Sequence, residues 1–364
     1  MTKKQHLGII FGGRSAEHEV SIQSARNIIE ALDRDKYDLT LIGIDRDGQW
    51  YLNDTSHFLL AAQNPDLLKL NQENQALVLR PGSGGTQLVK SHDMSPLPAL
   101  DVVFPVLHGT YGEDGAVQGL LRMAGIPFVG SGILGSAVGM DKDVMKRLLL
   151  QAGIPTPAFV TVYQQDQADL EAIVQELGGY PLFVKPANLG SSVGIHKVKS
   201  FEQLEPAMQD AFRYDPKVIV EKGVDCREIE CSVLGNHNPI VSVPGEIKVQ
   251  AEFYSYEAKY IDEDGAVLEI PAQLEPELVS QIQAMAVKAF RVLNAEGLAR
   301  VDMFLTPDNQ IYVNEINTLP GFTRISMYPK LWEASGIGYR ELLDRLIELA
   351  IEREQGQREL KTHR

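Results

Sequence analysis

Short apolar runs alternate with longer amphipathic segments along the chain, and this pattern predicts an α/β protein. Near the start, the apolar run HLGIIF is followed by SIQSARNIIEALD and then by DLTLIGID. In the middle segment, apolar residues from Ala25 to Leu32 recur at the spacing of one helical face. The order strand, helix, strand is typical of a parallel, Rossmann-like sheet, which we expect in the N-terminal part of the chain.

Glycine-containing loops follow two of the predicted strands in this region. GGRSAEHE comes after HLGIIF, and HGTYGEDG comes after DVVFPV. Ligands bind beyond the carboxyl ends of strands in open α/β sheets, so Glu17 and His108 are candidate binding residues. Ser15 is the predicted N-cap of the first helix. Structural roles are the alternatives, because Glu17 also suits the positive end of that helix and a histidine at a strand end is as often structural as functional.

A third loop, ANLGSSVG, lies between the predicted strands YPLFVKP and IHKVKS. Glycines and serines can wrap amides and hydroxyls around a phosphate, and Lys185 before the loop would supply the charge. No Gly-Lys-Ser/Thr follows, so this is not a Walker loop. Taken alone, such a loop is more often an ordinary hairpin turn, but the lysine in an otherwise apolar strand favours a phosphate site. Further on, Glu221 lies at the end of the buried strand KVIVEK, where a carboxylate could accept from an adenine amino group or ribose hydroxyls.

Residues 297–326 predict a β-hairpin that carries polar groups on one face. Two strand-like runs flank the turn sequence Pro-Asp-Asn; if the loop spans 307–310, Asp302 lies opposite Glu315 and Arg300 opposite Asn317. Asp, Glu and Asn offer only oxygen, which suits magnesium held jointly with phosphates. The alternative is a solvated hairpin face, which the flanking apolar residues disfavour. The following turn, TLPGFT, could direct backbone amides at an anion.

Composition narrows the class of protein. At 364 residues the chain exceeds one ordinary core, so two or three domains are expected. The net charge of −15 argues against nucleic acid or an anionic membrane surface as a general partner. The start predicts a first strand rather than a signal peptide, and no apolar run is long enough to span a bilayer. Cys226 and Cys231 are expected to be reduced thiols in the cytoplasm, with neither a disulfide nor a zinc site.

Seven motifs in one order resemble the D-alanine–D-alanine ligase family of the ATP-grasp superfamily. They are FGGRSAEHEVS, HGTYGEDG, MDK, FVKPANLGSSVGI, VEKGVDCREIE, FYSYEAKYID and the RVD…NEINTLPGFT block. Only residues 54–98 fall outside the resemblance, and they are assigned no chemistry. The resemblance implies an α/β and α+β fold of three domains: an N-terminal Rossmann-like substrate domain (1–131), a central ATP-grasp domain (132–222) and a C-terminal ATP-grasp domain with the metal site and a mobile loop (223–364).

The resemblance also implies an activity. ATP would phosphorylate the carboxylate of one D-alanine, and the amine of a second D-alanine would attack the acyl phosphate, giving D-alanyl-D-alanine for peptidoglycan precursors. The expected ligands are two D-alanine molecules, ATP and two Mg²⁺ (or Mn²⁺), and the expected state is a homodimer. Cations would offset the repulsion between carboxylate and γ-phosphate. Lids formed by 187–194 and 251–264 would keep water from the intermediate.

Motif positions carry the family's site residues onto this chain. The residues implied for the nucleotide are Lys142, Lys185, Gly190, Ser191, Ser192, Glu221, Glu228 and, beside them, Lys259. Those implied for magnesium are Asp302, Glu315 and Asn317, and those implied for the oxyanion are Arg300 and Gly321. The implied network between substrate and mobile loop is Glu17, Ser191 and Tyr260. His108 is expected near the first D-alanine, and Ser326 at the carboxylate of the second.

Two other functions are compatible with parts of the sequence. A ligase of the same fold could make D-alanyl-D-lactate, but Tyr260 argues against it, because the depsipeptide ligases that the chain resembles carry histidine in that region. A nucleotide-binding regulator without catalysis is the alternative from a different class. The complete set Arg300, Asp302, Glu315 and Asn317 argues against such a loss.

Overall fold

A computed structural model describes residues 3–55, 58, 75–82, 85, 87–249 and 266–361. The whole of the predicted loop 251–264, including Lys259 and Tyr260, lies outside these ranges. Within them, three main sheets follow one another along the chain and helices pack on each, which confirms the predicted mixed α/β architecture.

The first sheet is parallel except at one edge, as the Rossmann-like pattern predicts. Its region contains β1 (Gln5–Gly12), α1 (His18–Ala31), β2 (Tyr37–Ile44), β3 (Trp50–Asn53), β4 (Leu77–Leu79), β5 (Leu88–Lys90), β6 (Val102–Val106) and α2 (Ala116–Met123). The spatial order is β3-β2-β1-β6, with only β3 antiparallel, while β4 and β5 form a separate hairpin. Because side chains alternate along a strand, Leu7 and Ile9 of β1 enter the core under α1, whereas Ile10 enters the core under α2.

The predicted helix cap at Ser15 is wrong. Helix α1 begins at His18 with Glu17 in the N-cap position, and the Ser15 hydroxyl accepts from the Glu17 N–H at 3.1 Å inside the preceding loop. The glycine loop is therefore longer than predicted, and it leaves the Glu17 carboxylate outside the helix.

The second sheet is antiparallel, with the order β7-β10-β8-β9. Its region contains α3 (Ile133–Met140), α4 (Lys142–Gln151), β7 (Phe159–Tyr163), α5 (Leu170–Glu176), β8 (Leu182–Pro186), β9 (His196–Val198), α6 (Phe201–Ala211) and β10 (Lys217–Lys222). The Asp141 carboxylate accepts from the Val144 N–H at 3.1 Å and caps α4, which begins at Lys142. Met145 and Leu149 of α4 pack into the core of the third sheet. The three domain boundaries remain a prediction.

The third sheet is also antiparallel, with the order β14-β13-β11-β15-β16 and β12 beside β11. Its region contains β11 (Arg227–Gly235), β12 (Ile240–Val241), β13 (Gly245–Val249), β14 (Ala266–Glu269), α7 (Pro276–Val292), β15 (Gly297–Leu305), β16 (Ile311–Asn317), α8 (Met327–Ala334) and α9 (Tyr339–Arg358). Leu342 and Leu346 of α9 share a core with β1, so the chain returns to the first sheet. In the ranges described, no helix is long and apolar enough to cross a membrane.

Candidate active site

One cavity of about 350 Å³ is lined by side chains from all three sheet regions. Charged and polar groups supply much of its wall. The predicted site residues on that wall are Glu17, Lys142, Gly190, Ser191, Glu228, Arg300, Asp302, Glu315, Asn317, Gly321 and Ser326. Residues that are up to 309 positions apart in the sequence therefore meet around one space.

The β15–β16 hairpin pairs the polar residues as predicted, but with a shorter loop and a β-bulge. Asp302 lies opposite Glu315 and Arg300 opposite Asn317. The loop holds three residues, 307–309, rather than four, because the Thr306 N–H donates to the Gln310 carbonyl at 3.0 Å. A β-bulge after Asp302 then takes up one extra residue on β16, and the side chain of that residue, Asn314, lines the cavity.

Two carboxylates on neighbouring strands hold the Arg300 guanidinium. Its Nε and Nη2 each donate to an oxygen of Asp302 at 2.7 Å, and Nε lies 2.9 Å from Glu230 Oε2. Glu230 stands directly opposite Asp302 across β11 and β15. Like charges in that position repel each other unless a cation lies between them, and here Arg300 is that cation. We call Glu230, Asp302, Glu315 and Arg300 the acid cluster.

The donor types of the acid cluster fit a hard cation. Glu230, Asp302 and Glu315 form a row across three adjacent strands, and Asn317 adds an amide oxygen to the same wall. In the part of the chain that the structure describes, no three His, Cys, Asp or Glu side chains converge into a ready-made metal site. Both oxygens of Asp302 accept from Arg300, so a cation that binds Asp302 would lie beside the guanidinium.

A second group of charges, which we call the lysine cluster, consists of Lys142, Lys146, Lys185 and Glu221. Lys185 donates to Glu221 Oε1 at 2.6 Å, and Lys146 Nζ lies 2.7 Å from Glu221 Oε2. Burial alone would raise the pKa of Glu221, but the two lysines hold it below its ordinary value. Lys142 donates to the Leu189 carbonyl at 2.6 Å and lies 3.5 Å from Glu315 Oε2, so it connects the lysine cluster with the acid cluster.

The predicted phosphate loop contacts the first sheet region. Ser191 Oγ donates to the Glu17 carboxylate across 174 residues of sequence. Ser191 and Ser192 have φ values of 54° and 59°, in the left-handed region that residues other than glycine rarely adopt. The loop is therefore held in a strained conformation by a contact with the opposite wall of the cavity.

Glu113 and His108 fasten the loop that follows β16. Glu113 accepts from the Gly109 N–H at 2.7 Å and the Leu319 N–H at 3.2 Å, and burial, reinforced by Glu17, raises its pKa to about 8. His108 Nδ1 donates to the Leu319 carbonyl at 2.9 Å, and Nε2 lies 3.3 Å from Ser24 Oγ. Burial lowers the pKa of His108, so the ring is neutral and both nitrogens are engaged.

The turn after β16 presents the Gly321 backbone amide to the cavity. The N–H groups of Leu319, Phe322 and Thr323 donate to side chains within the protein. Pro320 has no N–H, and Gly321, which lines the cavity, has no acceptor among the described residues. A Cβ at Gly321 would lie 2.8 Å from Ser326 Oγ, so a side chain there would crowd the serine.

Two family models and many curated relatives match the sequence of this chain. Residues 6–131 match the family described as D-ala D-ala ligase N-terminus, and residues 148–348 match D-ala D-ala ligase C-terminus. The D-alanine–D-alanine ligase of Oceanobacillus iheyensis is 57% identical over 363 residues, covering 99% of each chain. D-alanine–D-alanine ligase A of Escherichia coli K12 is 53% identical over 361 residues, again covering 99% of each chain. The chain belongs to the D-alanine–D-alanine ligase family.

Solved structures of the family share the whole fold. The D-alanine–D-alanine ligase of Coxiella burnetii superposes with a TM-score of 0.88 at 42% identity, covering 98% of this chain and 97% of that one. The VanG D-Ala:D-Ser ligase of Enterococcus faecalis superposes with a TM-score of 0.84 at 37% identity, covering 96% of this chain and 100% of that one. Since members with different second substrates share the fold, the fold alone does not select the product.

Some residues carried over from the D-alanine–D-alanine ligase family do not lie on the cavity wall. Lys185 and Glu221 are buried behind it, Ser192 follows the wall residue Ser191, and His108 is enclosed between Ser24 and Leu319. Lys259 and Tyr260 lie outside the described residues, so the structure does not test their roles.

Four residues of the site were not assigned roles from the sequence. Glu113, Glu230 and Asn314 line the cavity, and Lys146 completes the lysine cluster. Two of them carried a signal: Glu230 shares a strand face with Glu228, and Lys146 follows Lys142 by one helical turn. Glu113 lay within a motif that was already recognised. Nothing in the sequence indicated the bulge that exposes Asn314.

Proposed function

We propose that this protein joins two molecules of D-alanine into D-alanyl-D-alanine with ATP, in the synthesis of peptidoglycan precursors. A carboxylate oxygen of the first D-alanine attacks the γ-phosphorus of ATP, and ADP leaves. The amine of the second D-alanine then attacks the carbonyl carbon of the acyl phosphate, loses a proton and expels phosphate. Family membership over nearly the whole chain supports this reaction.

The observation that carries the proposal is the meeting of two opposite charge sets at one cavity. A lysine cluster suits a polyphosphate, which is anionic, and an oxygen-rich row suits hard cations. Both are needed where a carboxylate must approach an anionic γ-phosphate. Lys142 connects the sets at 3.5 Å from Glu315, at the position where phosphate and cation would meet.

Individual roles are proposed from the motif positions that this chain shares with the D-alanine–D-alanine ligase family. For the nucleotide we propose Lys142, Lys185, Gly190, Ser191, Ser192, Glu221 and Glu228. Asp302, Glu315 and Asn317 would hold two Mg²⁺ (or Mn²⁺), which supply positive charge to the phosphoryl oxygens and the substrate carboxylate. Arg300 and the Gly321 N–H would stabilise the oxyanion, since that amide has no acceptor among the described residues.

The two substrate positions are proposed beside the acid cluster. Glu17 lies on the wall that faces the phosphate loop and would bind the first D-alanine, with Ser191 as its partner. Ser326, which also lines the wall, would donate to the carboxylate of the second. His108 would act through the Leu319 carbonyl, because both of its ring nitrogens are engaged. Lys259 and Tyr260 keep the roles that the sequence implies.

The test is a phosphate-release assay with D-alanine, combined with identification of the dipeptide by mass spectrometry. Release of phosphate that depends on D-alanine, with one D-alanyl-D-alanine per phosphate, is the expected result. D-Alanine labelled with ¹⁸O in its carboxylate should transfer label to the phosphate, because one carboxylate oxygen leaves with it. Nucleotide binding without phosphate release would instead identify a regulator.

The same assay decides the second substrate. When D-lactate or D-serine competes with D-alanine, we expect less D-alanyl-D-lactate or D-alanyl-D-serine than D-alanyl-D-alanine. A ligase that makes D-alanyl-D-lactate preferentially would contradict the proposal while leaving the acyl-phosphate chemistry intact. The product ratio should be measured at several pH values, because only the neutral amine of D-alanine can attack and its fraction rises with pH.

We further propose that the protein acts as a homodimer in the cytoplasm, where ATP is available. Large apolar side chains are exposed on three successive helices: Met123 of α2 is 73% exposed, Leu134 of α3 60% and Leu148 of α4 39%. Such side chains are suited to an interface between copies. Light scattering at assay concentrations should give twice the chain mass of 40.3 kDa, and the monomer mass would contradict the dimer.

A further inference from the structure

Helix α4 presents two lysines, one turn apart, to the interior of the protein. Lys142 and Lys146 are separated by four residues and so lie on the same helical face. Their residues are 6% and 0% exposed, and Lys142 contributes to the cavity wall. Like charges at this spacing repel each other, and burial adds to the unfavourable energy. A buried pair of this kind needs anionic partners.

The carboxylates around this face do not neutralise it. Lys142 shares Glu315 with the acid cluster, at 3.5 Å. Lys146 and Lys185 share the single carboxylate of Glu221, at 2.7 and 2.6 Å. Glu221 is 1% exposed, so this three-residue group keeps one excess positive charge in a region of low dielectric constant. Such an excess favours an anion nearby.

Strand pairing explains why Lys146 affects Lys185. Lys185 of β8 lies opposite Ile219 of β10, and Glu221 lies two residues further on the same face. If Glu221 had only Lys185 as a partner, the two would form a closed buried pair whose opposite charges balance each other. Lys146 binds the other oxygen of Glu221, so the carboxylate is divided between two cations.

We propose that Lys146 is a positioning residue for the nucleotide: by holding one oxygen of Glu221, it leaves the charge of Lys185 only partly balanced by that carboxylate and keeps the ammonium group oriented for the phosphates. Burial, opposed by Glu221, lowers the pKa of Lys146, and Lys185 adds to the lowering. An anionic ligand beside Lys185 would relieve this repulsion. The inference rests on the proposed assignment of Lys185 and Glu221 to ATP.

The test measures nucleotide affinity in the full-length enzyme. Lys146→Met removes the charge but keeps the length of the side chain. We expect it to weaken binding of ADP with Mg²⁺ about tenfold or more, measured by calorimetry, because charge-assisted contacts of buried groups are lost. The KM for D-alanine should stay within about twofold, since the acid cluster and the Gly321 turn are unchanged. Lys146→Arg keeps the charge and should retain much of the nucleotide affinity.

A matched control separates positioning from simple destabilisation. Lys217 is also a mostly buried lysine of this region, and it binds Asp141 at 2.5 Å and Asp143 at 3.4 Å. Lys217→Met should lower the melting temperature without weakening ADP binding. If Lys146→Met lowers the melting temperature and leaves ADP affinity unchanged, Lys146 is only structural. If Lys146→Met does not fold, the same comparison is made with Lys146→Gln, which can still donate to Glu221 but carries no charge.

Lys185→Met distinguishes failure of the inference from failure of the proposed function. If Lys185→Met weakens ADP binding but Lys146→Met and Lys146→Gln do not, the nucleotide site stands and the inference is overturned. If Lys185→Met also binds ADP with the affinity of the native protein, the nucleotide assignment itself is wrong. Loss of affinity in both lysine variants, with Lys217→Met unaffected, supports the inference.

Discussion

The lysine cluster and the acid cluster have opposite charges and face the same cavity. The lysine cluster has three ammonium groups and one carboxylate, whereas the acid cluster has three carboxylates and one guanidinium. Helix α4 and strands β8 and β10 build the first, and three neighbouring strands of the third sheet build the second. Each cluster has an excess of one sign that its own residues do not neutralise.

The difference between the clusters lies in how firmly their partners are held. Glu221 is enclosed and both of its oxygens are engaged by lysines. In the acid cluster, Asp302 is bound by Arg300, a residue that the proposed reaction needs elsewhere. The lysine cluster is therefore preorganised for a polyphosphate, whereas the acid cluster would bind a metal cation through carboxylates that already hold a guanidinium.

The largest expected effect comes from removing a carboxylate of the acid cluster. Asp302→Asn and Glu315→Gln keep shape but remove a metal-binding charge, so turnover should fall by about 10²- to 10³-fold or more. Titration of Mg²⁺ by calorimetry in the presence of ADP should show weaker binding in both variants. Asp308→Asn, in the exposed turn of the same hairpin, is the matched control and should keep full activity. Full activity of both test variants at saturating Mg²⁺ would place the metal site elsewhere.

Most of the acid cluster could be predicted from sequence because strand geometry is periodic. Residues two apart share a face, so the polar positions of β15 and β16 fixed a candidate site once the hairpin was recognised. The bulge could not be predicted, because it arises where the register set by a three-residue loop differs by one residue from the register at the far end of the hairpin. Contacts such as Glu113 with Leu319, 206 residues apart, depend on packing between sheets and leave no local pattern.

Glu113 differs from the carboxylates of the acid cluster, because we expect its carboxyl group to be mostly protonated at neutral pH. Burial, with Glu17 adding to it, raises the pKa of Glu113 to about 8 in the folded protein, above the ordinary value of 4.5. Its stabilising contribution is therefore complete below about pH 4.5 and is lost as the pH rises through about 8. Relative to Glu113→Gln, which does not titrate, the native melting temperature should fall between about pH 5 and 9.

Scanning calorimetry of both proteins across that range makes the comparison. Other titrating groups contribute to both curves and largely cancel in the difference. A difference that does not change with pH would mean that Glu113 does not titrate in this window. A difference that increases with pH would mean that the folded protein favours the ionised form instead.

The smallest expected effect lies where the two clusters meet. The bulge directs Asn314 to the cavity wall, and its Oδ1 accepts from Lys185 Nζ at 3.4 Å, a long and therefore weak hydrogen bond. Asn314→Ala should raise the KM for ATP only about two- to fivefold, because Glu221 still holds Lys185 at 2.6 Å.

Asn309, in the turn of the same hairpin, provides the control. Its φ of 61° means that a substitution there changes the backbone conformation of the turn, which lies outside the cavity. Asn309→Ala should thus lower the melting temperature, because alanine is disfavoured in the left-handed region, and leave the KM for ATP unchanged. If instead Asn314→Ala abolished nucleotide binding, its hydrogen bond would be the main contact that orients Lys185. The proposed roles of Lys146 and Glu221 in orienting Lys185 would then be wrong.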